Sequence, residues 1–201
     1  MEKKIATVIS YLTHPLIVPM LGLLVISNSG TYAAEMDPLF IEHIYMRVFM
    51  LTFMMPIAFI PIYYYFRLVS NMRLDERRER IIPYYITLIC YILAYFMITK
   101  LPVSQVYQRM LFAASLSLLI VTGISHFWKV STHMTGWGGL IALILGFSIR
   151  FNTDLMIFLI IAIFIAGAVA CARLMLNAHN PLQVLTGFVI GFCTMLAVFL
   201  I

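Results

Sequence analysis

Long apolar runs separated by short polar punctuation dominate this chain. Seven runs, 5–27, 48–66, 82–99, 110–128, 134–149, 155–172 and 182–201, come close to the roughly 20 residues that a helix needs to cross a hydrocarbon core. Every Lys, Arg, Asp and Glu lies outside them. A charge near the membrane centre costs at least ~2.5 kcal/mol, so spanning helices require this exclusion. The pattern predicts an all-α, polytopic transmembrane helical bundle of six to seven spans. With no internal repeat or linker, residues 1–201 are expected to form a single integral-membrane domain. The fifth run is short and carries Gly136, Gly138 and Gly139, which suggests a loop dipping toward the core at its outer end. Pro15, Pro19, Pro56 and Pro61 fall in the first two runs and predict kinks whose freed carbonyls find partners on neighbouring helices. Met1-Glu-Lys-Lys leads into an apolar run too long for a cleaved leader and without a small-residue cleavage site, so a retained first span is expected.

Composition narrows the function classes. Of the 201 residues 63% are apolar and 10% charged, against about 45–50% and about 25% in soluble domains. A water-soluble enzyme, a nucleic-acid binder and a disordered tail are all disfavoured. The net charge of +5 and pI near 9.2 fit the basic loops of membrane proteins together with a bound anion. Cys90, Cys171 and Cys193 lie in apolar runs without paired spacing; they read as buried thiols, forming neither a disulfide framework nor a metal site.

Span parity assigns the polar segments to two sides. The N-terminus, 67–81, 129–133 and 173–181 share one side, with Lys3, Lys4, Arg67, Arg73, Arg77, Arg78, Arg80, Lys129 and Arg173. The other side holds Arg47, Lys100, Arg109 and Arg150. Counted whole, the positive-inside bias makes the first side cytoplasmic. If Arg73, Arg80, Lys129 and Arg173 hold a ligand, five cations face four and the bias disappears, so sidedness stays open.

Three polar clusters converge on that first side: Arg73 to Arg80, Lys129 to His133, and Arg173 to Gln183. Each alone has an ordinary reading, respectively a basic loop near headgroups, an interfacial anchor, and a helix start at Pro181. Their coincidence favours a site. Guanidinium groups grip phosphate oxygens in pairs, an ammonium adds a compact charge, and histidine serves as nucleophile or acid near neutral pH. Cations around three oxygens, one nucleophile and one acid suffice for phosphoryl transfer without a metal or other cofactor. His14 and His43 lack such company and read as structural, and His126 reads as packing.

These motifs resemble the type 2 phosphatidic acid phosphatase superfamily, which includes the vanadium haloperoxidases. Its pattern is Lys-x6-Arg-Pro, Pro-Ser-Gly-His and Ser-Arg-x5-His-x3-Asp. Arg173-x5-His179 matches the third motif in spacing, with Ala172 in place of its serine. Val130-Ser131-Thr132-His133 is similar to the second but lacks the proline and glycine, and Arg73-x6-Arg80 fits the first with arginine for lysine and the proline displaced to Pro83. The resemblance covers roughly residues 73–187. It implies His179 as the nucleophile that forms a phosphohistidine and His133 as the acid for the leaving oxygen. Arg73, Arg80, Arg173, Ser131 and backbone amides near Thr132 would hold the phosphate. Lys129 lies outside the pattern and is an alternative to Arg73 as the first cation.

One departure matters most. Gln183 stands where the family has an aspartate that orients the nucleophilic ring and stabilises its positive charge. A glutamine carbonyl can still accept the ring hydrogen bond but brings no charge, so a less activated nucleophile is expected. The resemblance implies a cell-membrane hydrolase acting on an amphiphile, with the headgroup at the cations and the tails in lipid: phosphatidate, phosphatidylglycerol phosphate, a prenyl diphosphate or a phosphorylated glycolipid. Other membrane lipids would be its partners and nucleic acid would not; the sequence is silent on oligomeric state. Two other readings remain. One is a catalytically silent relative that binds anionic headgroups or scaffolds a membrane complex. The other is a small transporter, which charges clustered at span ends rather than at the midplane disfavour.

Overall fold

The computed structural model describes residues 2–32, 34–35, 38–69 and 77–201. Its helices are α1 (Glu2–Leu12), α2 (Val18–Ser27), α3 (Pro38–Phe49), α4 (Met55–Ala58), α5 (Ile60–Tyr65), α6 (Ile81–Thr99), α7 (Gln105–Ser125), α8 (Thr132–Phe151), α9 (Met156–Met175) and α10 (Pro181–Leu200). They make up seven segments long and apolar enough to cross a membrane. The protein is an all-α integral membrane protein, and no strand occurs among the described residues.

Proline divides the first two spans. α1 ends before Pro15, a single 3-10 turn (Pro15–Ile17) follows, and α2 resumes at Val18. The carbonyl of Thr13, close to the break, accepts the indole N–H of Trp137 at 3.2 Å. A neighbouring helix thus supplies a donor beside the proline break. In the second span a π-turn (Met50–Met54) precedes Pro56, and the helix breaks again at Phe59 before Pro61.

α8 is the axle of the bundle. Of its apolar stretch 67% is buried, against 22–44% in the other spans. The expected dipping loop is absent here: residues 132–151 form one uninterrupted helix, and its glycines serve packing. A Cβ on Gly138 would run into the Phe188 carbonyl of α10. From the other side, a Cβ on Gly187 would strike the Ser131 carbonyl, and one on Gly191 the Thr135 carbonyl. Small residues four apart on both helices let the two backbones touch, as in membrane small-x3-small pairs. This contact fixes the ends of α8 and α10 against one another, and both histidine motifs sit at those ends.

The cysteines depart in part from expectation. Cys90 is buried, whereas Cys171 and Cys193 are exposed on the outside of the bundle. A spanning helix is apolar on its lipid face as well as its core face, so an apolar neighbourhood does not predict burial.

Candidate active site

The turn from α9 to α10 carries the third motif. Asn177 adopts the left-handed conformation (φ 51°), and the Ala178 amide donates back to the Arg173 carbonyl at 3.1 Å. That bond is the 6→1 closure of a helix C-terminus, so the chain doubles back on itself just after Arg173. Asn180 then caps α10. Its Oδ1 accepts the Gln183 amide at 2.9 Å, and Gln183 Oε1 accepts the Asn180 amide at 3.2 Å. The reciprocal pair is a capping box, with Pro181 in the first turn.

The Gln183 oxygen has a second partner, His179 Nδ1, at 3.2 Å. Because the Asn180 amide can only donate, the Gln183 atom that it meets must be the carbonyl oxygen, and His179 must carry its proton on Nδ1. The Nε2 lone pair is left as an acceptor, and Arg80 Nη1 donates to it at 3.4 Å. Burial pushes the His179 imidazole down to about 3 from its ordinary 6.5, aided by the charges of Arg80, Arg173 and Lys129; the Gln183 bond opposes that shift. The ring is therefore neutral at physiological pH, with an unprotonated nitrogen aimed into a cationic setting.

His133 is the second residue of α8. Ser131 caps that helix, its Oγ accepting the Met134 amide at 3.5 Å, while its own amide donates to the Gln183 carbonyl at 3.2 Å. The second and third motifs are thus tied directly through the backbone. His133 Nε2 donates to the Ser10 carbonyl at 3.1 Å, and Ser10 Oγ receives Arg173 Nη1 at 2.6 Å. The two imidazoles lie within electrostatic reach of one another.

The structure therefore assembles Arg80, Lys129, His133, Arg173, His179 and Gln183 at one end of the bundle. Ser131 is fully buried beneath them with its hydroxyl engaged in the cap. Arg73 lies outside the described residues. Two participants are not evident from the sequence, Ser10 and His14. The break at Pro15 turns both toward α8, and the His14 ring packs edge-on against His133 at 5.5 Å. A polar ring inside an apolar run was the available signal, since such groups are costly unless used. His126 stays peripheral, exposed and 3.1 Å from the Tyr85 hydroxyl. Among the described residues no three His, Cys, Asp or Glu side chains gather as metal ligands would.

A cavity of about 320 Å³ opens from this cluster. Its polar mouth is formed by Ser10, His14, Arg80, Thr132, His133 and Arg173, and its interior by apolar groups including Gly22, Met110, Leu143 and Met195. Along α8 the lining runs from Thr132 to Leu143, a helical rise of about 16 Å and roughly half the hydrocarbon thickness. Arg80, Arg173, His14 and His133 thus crown a greasy shaft, with His179 behind them, joined to Arg80. Neither family models, nor curated proteins, nor solved structures give a match to this chain, so the chemistry of the site rests on its own residues.

Proposed function

We propose that the protein hydrolyses a phosphate ester or diphosphate of a membrane amphiphile, through a phosphohistidine on His179 and without a metal. The observation that carries this reading is the unprotonated Nε2 of a neutral, buried His179, oriented by Gln183, bonded to Arg80 and set in the field of Arg173 and Lys129, with Arg80 and Arg173 also lining the mouth of an apolar cavity. Resemblance of the three motifs to the type 2 phosphatidic acid phosphatases points the same way. We also assign the protein to the cell membrane.

In the first step His179 Nε2 attacks phosphorus as the bond to the leaving oxygen breaks. Arg80, Arg173 and Lys129 bind the equatorial oxygens, whose charge they offset as it spreads in the transition state. His133, which takes up a proton as the phosphate anion binds beside it, passes that proton to the departing oxygen. In the second step water attacks the phosphohistidine, His133 takes a proton back, the N–P bond breaks, and inorganic phosphate leaves. The Gln183 carbonyl stabilises the charged ring by dipole alone, so the phosphorylated state is less stabilised than a carboxylate would make it.

The cavity supports an amphiphilic substrate and refines where its chain goes. A hydrocarbon tail threads into the shaft between Met110, Leu143 and Met195 rather than staying wholly in surrounding lipid. Purified full-length protein should release inorganic phosphate from phosphatidate or a prenyl diphosphate without added metal, and His179→Ala should abolish release. Absence of release from every lipid phosphate offered to the wild-type protein overturns the reading. The lack of charge at Gln183 favours one alternative, a silent relative that binds anionic headgroups. It would hold the same lipids and leave them intact.

A further inference from the structure

The end of the bundle away from His179 contains a second cavity, of about 420 Å³. It lies where α7 begins and where α8 and α10 finish, and its wall includes Tyr32, Ser104, Gln105, Arg109, Arg150 and Phe199. The His179 cluster lies at the opposite ends of the same three helices, so about 30 Å of α8 separates the two.

We propose that this cavity is an anion site that takes a phosphate group, supplied by an anionic phospholipid of the adjacent leaflet. Its polar lining is rich in donors. Arg109 Nη1 is shielded from solvent and has no hydrogen-bond partner among the described residues. Arg150 reaches across from the end of α8 and donates through Nη1 to the Phe199 carbonyl at 2.9 Å, which anchors its guanidinium beside the cavity. Gln105 and Val106 open α7 at the cavity wall, where first-turn amides have no acceptor within the helix and the dipole is positive. Ser104 makes no side-chain cap bond there, leaving its hydroxyl available to a ligand. Among the described residues no Asp or Glu lines the space. A shielded guanidinium nitrogen without an acceptor is a costly arrangement that an anion relieves, and two arginines with a helix start form a set that fits phosphate oxygens.

The walls select among anions. Val103, Val106, Phe151 and Phe199 make part of the lining apolar, and the volume exceeds the needs of a bare phosphate. A phosphodiester with its glycerol and upper chains satisfies both halves, and at a span end such groups are abundant. A ligand held there also bridges α7 to the α8–α10 pair, the two helices that carry His133 and His179 at their far ends.

The test uses full-length protein in mild detergent, stripped of lipid. Retention of phosphatidylglycerol and of phosphatidylcholine is counted by native mass spectrometry, and inorganic phosphate is titrated separately against the melting temperature. Variants are Arg109→Gln, Arg150→Gln, Arg109→Lys and, for the other end, Arg173→Gln. The expected result is one tightly held phosphatidylglycerol that survives Arg173→Gln, weakens by about tenfold in Arg109→Gln or Arg150→Gln, and recovers in part in Arg109→Lys. Should Arg109→Gln fail to fold, Arg150→Gln at the exposed rim gives the same readout. Stabilisation by inorganic phosphate that is lost in the same two variants, without lipid retention, supports the anion site and assigns it to a soluble ligand. Binding of phosphatidylglycerol and phosphate by both variants at wild-type strength overturns the proposal.

Discussion

Replacing Gly191 by alanine tests the seam on which the site is built. The added Cβ would overlap the Thr135 carbonyl, a backbone atom that no side-chain rotation can move. α8 and α10 must separate by roughly an ångström, and a gap of that size forfeits about a quarter to a half of the dispersion attraction across the contact. Overpacking of this kind costs about 1–3 kcal/mol, so the melting temperature in detergent should fall by about 2–12 °C for a chain of this length. Gly139→Ala is the matched control. Its Cβ would find its nearest neighbours at 3.7 and 3.8 Å, ordinary contact distances, in the middle of the same interface. With no clash, alanine's better helix propensity leaves that variant as stable as wild type or more so. Thermal unfolding of wild type and both variants, followed by intrinsic fluorescence, makes the comparison. Equal melting temperatures for Gly191→Ala and Gly139→Ala would refute the argument that backbone contact joins these helices. If the hydrolytic reading holds, Gly191→Ala should also lower turnover by about a hundredfold, because Ser131 and Gln183 are bonded across this seam and a shift of an ångström misplaces the reacting groups.

Gln183→Asp and the length-matched Gln183→Glu place a carboxylate beside His179 Nδ1; phosphatase turnover should be kept or raised, and a fall of tenfold or more in folded protein counts against the assigned role. A carboxylate also favours the imidazolium, so the acid limb of kcat/KM should move up toward neutrality in both variants, and an unmoved limb would show that His179 is not the titrating base. In wild-type protein His179 titrates near 3 when folded and near 6.5 when unfolded. The unfolded chain therefore binds the extra proton between those values, and stability falls as pH drops below 6.5; acidification to pH 4.5 should cost about 2 kcal/mol, and His179→Gln should show a smaller loss in melts at the two pH values. Ala114→Phe fills the deep part of the first cavity. It should lower kcat/KM for a long-chain lipid phosphate by about tenfold relative to a short-chain one, whereas an unchanged ratio would place the tail outside the protein.

The spans were legible because lipid imposes a single rule, that charges stay out for about twenty residues. Arg-x5-His was legible through its resemblance to a known motif, and in the fold that interval spans a helix end that turns back at the left-handed Asn177. Other features depend on which way a helix faces, and hydropathy in a membrane does not encode that. Cys171 and Cys193 have apolar neighbours along the chain yet face outward. Ser10 and His14 belong to an apolar run, and only the break at Pro15 delivers them to His133. Glycines in the fifth run suggest a loop on composition alone. The decisive information was the partner sequence, Gly187-x3-Gly191, which supplies the facing groove.

One oxygen atom of Gln183 begins α10 and also sets the tautomer of His179. The ring is therefore oriented as the chain folds, and under the hydrolytic reading its lone pair is in place before any amphiphile arrives. If that reading holds, a substitution that loosens the first turn of α10 will look like a catalytic defect even when it touches nothing that reacts.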